Sequence, residues 1–230
     1  LPASFFNTVN VDYVGKLLAT GETFDQGNTK EVLNNYIMGW RIAMTSLPAG
    51  SKAKVYIPSG YAYANTGQGT IPPNANLVFD IDFKEVILSS SEKTRFTNDT
   101  TAIDTYLAGK NVSAVTDSTG VRYVVTSPGS GAPPTWFQPL KLKYVIRELT
   151  NDSRIAATVD ASPSETFDSR MVNYIPGIMV GLQKIGEGGK VTLYIPSNLA
   201  FGAPGVVSNN AQVIQPNSNL IVELELTDIL

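Results

Sequence analysis

Asn35-Tyr-Ile-Met-Gly-Trp40 recurs, changed at two positions, as Asn173-Tyr-Ile-Pro-Gly-Ile178. Beyond these segments, Gly50-Ser-Lys52 answers Gly188-Gly-Lys190, and Tyr56-Ile-Pro-Ser59 returns as Tyr194-Ile-Pro-Ser197, every pair 138 residues apart. The closing segments also match, Asn76-Leu77 onward against Asn219-Leu220 onward, with a few extra residues inserted before them in the second copy. Matches held in one register over this span mark a tandem duplication. Periodicity gives the unit its elements. Thr8 to Leu18, Lys52 to Ile57 and Asn76 to Val86 alternate, with Leu77, Phe79, Ile81 and Phe83 on one side, as half-buried antiparallel strands do. Asn34 to Met44 carries Ile37, Trp40 and Met44 at helical spacing, and Pro48 with Gly50 punctuates its end. Each copy therefore reads as an α+β unit with one short helix among strands.

Between the copies, Ser89 to Thr97 is polar and poor in apolar residues, a natural boundary. Asp99 to Val115 then places Ile103, Tyr106, Leu107 and Val112 at near-helical spacing, Val121 to Thr126 reads as a strand, and Ser127 to Pro139 as a Pro/Gly/Ser loop. The expected organisation is a first domain over 1–90, a linker with a helix over 91–113 and a second domain over 114–230. The second copy has a leading strand with no counterpart before Val9. Either the first domain is abbreviated or its opening strand lies upstream of Leu1.

The composition narrows the chemistry. Among 230 residues there is no cysteine and no histidine, so thiolate nucleophiles, imidazole bases, disulfides and Cys/His zinc sites are excluded. No metal or other cofactor is expected. Charged residues make up 16%, against an ordinary value of about 25%, and the net charge is −3, which leaves no basic footprint for nucleic acid. No apolar run approaches the roughly 20 residues of a membrane helix, and Leu1 to Asn10 lacks the regions of a signal peptide. Any export signal or lipid anchor would lie upstream or have been removed. Asp80 with Asp82, and Glu223 with Glu225, are spaced by two and share one strand face, which is expected to be solvated rather than an acid–base pair.

In the first copy Val11-Asp-Tyr13-Val-Gly15, Gly21-Glu-Thr-Phe24-Asp25, Tyr36-Ile37-Met-Gly39-Trp40, Ile57-Pro58, Tyr61-Ala-Tyr63, Ile71-Pro-Pro-Asn74 and Leu77-Val-Phe79-Asp80 follow in order. This series resembles the FKBP-type peptidyl-prolyl isomerases across roughly residues 9 to 86, and the second copy resembles them more loosely over about 118 to 230. The resemblance implies two FKBP-like domains, each a twisted antiparallel sheet wrapped around a short helix, with a proline pocket between them. It implies Trp40 as the pocket floor and Tyr13, Phe24, Ile37, Ile71 and Phe79 as walls. The Ile37 N–H and the Tyr63 hydroxyl would hold substrate carbonyls, and Asp25 would pair with the Tyr13 hydroxyl. Proline-containing or unfolded polypeptides are the implied partners, with macrolide inhibitors as ligands of the same pocket. Such chemistry suits a chain without His or Cys. An Xaa-Pro bond rotates over a barrier of about 18–20 kcal/mol, and a dry pocket that favours the less polar twisted amide lowers it without proton transfer.

Two departures set further expectations. Gln26 to Asn35 contains no aromatic residue, so one side of the pocket is expected to be open, and Ala64 stands where the family usually has glycine. In the second copy Tyr144 matches Tyr13, but Ile155 and Ala156 fall near Phe24 and Asp25, and Ile178, Phe201 and Val222 replace Trp40, Tyr63 and Phe79. The first domain is therefore expected to be catalytic and the second to keep the fold with little activity. The competing expectation is a non-catalytic polypeptide-binding chaperone or scaffold. By analogy with exported foldases, the expected location is a bacterial periplasm or cell envelope, with a lipoprotein anchor as one form of attachment.

Overall fold

The computed structural model describes residues 3, 7–136, 138–151, 154–161 (backbone), 170–171, 174–208 and 210–230; Asn173 of the repeated segment lies outside them. The chain divides into two compact units, Leu1–Ser91 and Glu92–Leu230.

In the first unit, β1 (Thr8–Leu17), β2 (Thr23–Val32), β3 (Lys52–Ile57) and β4 (Leu77–Ile87) form an antiparallel sheet in the order β2-β1-β4-β3. One face is apolar: Val9, Val11, Leu77, Phe79, Ile81 and Phe83 are all buried, as the alternation requires. α1 (Met38–Ser46) lies against this face, and Gly39 lets its backbone settle directly on the Ile57 side chain. The helix begins later than its spacing predicts. Ile37 is extended (φ −56°, ψ 151°), and Leu33–Asn35 forms a separate 3₁₀ turn. Arg41 fixes that arrangement, donating from Nε to the Tyr36 carbonyl at 2.8 Å and from Nη1 to Asn34 Oδ1 at 3.0 Å.

The outer face carries the acids expected to be solvated. Asp80 accepts from Lys54 and pairs with Lys16, and Asp82 accepts from Lys52 (3.1 Å) and Lys84 (2.5 Å), forming an ion-pair ladder around a concavity of about 750 Å³. Hydrogen bonds from these lysines hold both carboxyls below the usual carboxylate range. The second unit repeats the device through Arg147–Glu223 and Lys190–Glu225.

The second unit opens with α2 (Ser90–Gly109), then β5 (Val115–Thr116), β6 (Arg122–Ser127), β7 (Leu140–Glu148), β8 (Arg154–Ala161), α3 (Pro176–Leu182) and β9 (Lys190–Ile195). A small hairpin, β10 (Val206–Ser208) with β11 (Ala211–Ile214), precedes β12 (Leu220–Ile229). The sheet order β5-β6-β9-β12-β7-β8 reproduces the first unit's order and adds β6 and β5 beyond the edge that β3 occupies there. Gly177 rests on Ile195 just as Gly39 rests on Ile57.

The polar segment read as a boundary is the start of α2, and the helix belongs to the second unit. Ile103 and Leu107 are buried with Leu149, Tyr194 and Ile221. Arg122 of β6 donates to both oxygens of Asp104 at 2.9 and 2.8 Å, tying strand to helix.

Candidate active site

The register of the first sheet assembles the site. Gly15 on β1 lies opposite both Phe79 on β4 and Asp25 on β2, and Tyr13 lies two residues away on the same face. α1 brings Trp40 beneath them. The Tyr13 ring meets the Trp40 indole edge-on at 5.3 Å between centroids, Phe79 meets it edge-on at 5.4 Å, and Phe24 packs edge-on against Phe79 at 5.6 Å. These are the preferred geometries for aromatic pairs.

The hydroxyl of Tyr13 donates to Asp25 Oδ2 at 2.8 Å. Burial first, and then this bond to a carboxylate, push the Tyr13 phenol up to about 12. Burial also raises Tyr63, with the Asp25 charge as the second cause, so Tyr63 shares the electrostatic environment of that pair. Ile37 is the N-cap of α1; its carbonyl accepts from the N–H groups of Trp40 and Arg41, while its own N–H donates no hydrogen bond among the described residues. Ile71 is buried on the loop before β4, pinned by reciprocal bonds with Gln68 at 2.8 and 3.0 Å.

Two residues escaped the sequence reading. Tyr36 lies flat on the Trp40 indole, with ring centroids 4.9 Å apart and planes 15° from parallel, and its hydroxyl is 2.6 Å from Thr29 Oγ1. The side expected to be open for want of an aromatic in 26–35 is thus closed by the residue that follows, and Trp40 is only 3% exposed. The sequence signal is Tyr36 itself, an aromatic residue within the repeated segment. Gly15 is the second. A Cβ there would lie 2.7 Å from both Phe24 Cζ and Phe79 Cε1, so the ring cluster requires glycine.

In the second unit the same register pairs Ile146 with Val222 and with Ala156, where the first has Gly15 with Phe79 and Asp25. The buried Ile146 side chain occupies the level at which the first unit holds two rings, and the carboxylate is gone with Ala156. Ile178, in place of Trp40, is 4% exposed and packs as core.

A family model described as FKBP-type peptidyl-prolyl cis-trans isomerase matches residues 4–84 and again 138–227. A probable FKBP-type 25 kDa peptidyl-prolyl cis-trans isomerase of Pseudomonas aeruginosa is 48% identical over 77 residues, which cover 32% of this chain and 34% of that protein. The FKBP-type 22 kDa isomerase of Escherichia coli is 40% identical over 85 residues, 34% of this chain and 41% of that protein. A solved isomerase from Pseudomonas syringae aligns at 25% identity with a TM-score of 0.45, covering 58% of this chain and 94% of that one. With both repeats matched over most of their length, the chain belongs to the FKBP-type peptidyl-prolyl cis-trans isomerase family.

Proposed function

We propose that the first unit catalyses cis-trans isomerisation of Xaa-Pro bonds in polypeptides and that the second binds or positions the client without appreciable turnover. The observation that carries this reading is the single cluster in which Tyr13, Phe24, Trp40 and Phe79 meet ring to ring beside the Tyr13–Asp25 hydrogen bond. A proline ring entering among these side chains leaves water, and its amide passes through the less polar twisted form in apolar surroundings. In this reading the Ile37 N–H and the Tyr63 hydroxyl hold the flanking carbonyls, Ile71 closes a wall, and Asp25 orients Tyr13. Tyr36 must slide off the indole for proline to reach it, so its bond to Thr29 sets the cost of opening. Macrolide inhibitors would have to displace the same ring. A folding helper in a bacterial envelope fits the bacterial relatives and the sparsely charged composition.

The test is isomerisation of a proline peptide by the full chain. Wild type accelerates the exchange; Trp40→Leu and Asp25→Val lose it, the former by about tenfold or more, the cost of one well-packed aromatic wall. Equal rates in wild type and both variants would mean that the cluster is not the active site. The burial of Trp40 favours a second reading, a binding protein whose pocket stays closed. That reading wins if wild type gives no acceleration yet suppresses aggregation of an unfolded client.

A further inference from the structure

The two copies treat one equivalent surface differently. In the second unit Leu149, Tyr194 and Ile221 sit on the outer face of the sheet, 6%, 6% and 4% exposed, because Ile103 and Leu107 of α2 cover them. Asp99, four residues before Ile103 and eight before Leu107, anchors the helix: its Oδ2 accepts from Ser197 Oγ at 2.6 Å and from Ser197 N at 3.1 Å. Asn219 completes the anchor, accepting from Ser197 N at 2.9 Å and donating to the Asp99 carbonyl at 3.3 Å.

The first unit has the same platform with nothing on it among the described residues. Leu18, Tyr56 and Val78 are the counterparts of Leu149, Tyr194 and Ile221; Leu18 is 45% and Tyr56 61% exposed, and Val78 is half-buried. The anchor is also formed. Ser59 N donates to Asn76 Oδ1 at 2.9 Å, and Leu18 N to the Asn76 carbonyl at 2.9 Å, matching Ser197 with Asn219 and Leu149 N with the Asn219 carbonyl at 2.9 Å. An apolar face beside a prearranged hydrogen-bonding turn is a recognition surface for a helix with an apolar stripe.

We propose that the Leu18–Tyr56–Val78 face of the first unit docks an amphipathic helix of a partner polypeptide, one presenting an acidic residue with aliphatic residues four and eight positions later, seated as α2 is on the second unit. The spacing follows from α2 itself, and the anchor from Ser59 and Asn76.

A synthetic peptide spanning Ser90 to Ser127 serves as the probe, titrated into the full chain and followed by NMR. Leu18 and Val78 methyl signals and the Tyr56 ring shift saturably. Leu149 and Ile221 stay unmoved, since their tethered helix acts at about millimolar effective concentration. Tyr56→Asp abolishes the shifts, and Leu18→Ser weakens binding by about tenfold or more, the loss expected for a leucine that no longer buries; circular dichroism confirms that both variants fold. A peptide carrying Ile103→Asp does not bind. Absent shifts, shifts that survive Tyr56→Asp, or shifts confined to the second unit overturn the proposal. So does movement of Leu18 and Val78 with protein concentration alone, with a dimer in sedimentation that Tyr56→Asp dissolves, which would assign the face to a second copy.

Discussion

Gly15 and Ala64 show how much a single backbone position can weigh in the first unit. Because a Cβ at Gly15 collides with two rings, Gly15→Ala is expected to cost about 1–3 kcal/mol, the range for overpacking. Isomerisation should fall with it; urea unfolding together with the peptide assay checks both. Ala64 has φ +49°, a left-handed conformation that an L side chain resists, so Ala64→Gly is expected to stabilise the first unit by about 1 kcal/mol in the same unfolding experiment. That Tyr13, Phe24, Trp40 and Phe79 come together in the candidate site was legible because their segments are distinctive when taken together. The glycine departure at Ala64 was legible too, although its backbone geometry was not. Tyr36 was not assigned because ring stacking depends on the turn made by Leu33–Asn35 and on the extended Ile37, neither of which periodicity encodes.

Among the elements, α2 is anchored through one buried carboxyl, Asp99. Burial raises the Asp99 carboxyl above its ordinary value, and the hydrogen bonds from Ser197 only partly offset this. A raised carboxyl favours the folded state most below its unfolded value of about 3.9, and that contribution is lost as pH rises through the folded value. Asp99→Asn keeps an oxygen for Ser197 and removes the charge. The variant should therefore gain stability relative to wild type as pH rises from about 4 to 7, measured by denaturant unfolding across that range; a pH-independent difference would refute the account. Strands β1, β3 and β4 were legible from alternation. β2 was not: in Thr23–Val32 most side chains are exposed, and an edge strand with polar residues on both faces shows no period. The first turns of α2 were hidden likewise, since Ser90 to Arg95 contribute nothing to its buried stripe.

For the whole molecule, the duplication was legible and its unequal consequences only partly so. Each unit holds one tryptophan, Trp40 in the first and Trp136 in the second, and each has its own core. Denaturation followed by fluorescence in Trp136→Phe and in Trp40→Phe should therefore give two different midpoints; coincident curves would show the units to unfold as one. The loss of the ring cluster from the second copy could be read from Ile178 and Val222, but the place of Ile146 opposite Val222 could not, because that depends on strand register. The exchange of Gly15–Phe79 for Ile146–Val222 also bears on whether one packing can be turned into the other. Placing isoleucine alone at position 15 collides with rings, and placing glycine alone at position 146 leaves a void, so each single step between the two arrangements is costly. The two packings are therefore separated by a concerted change of at least two residues, and neither copy can take up the other's arrangement one substitution at a time without losing stability.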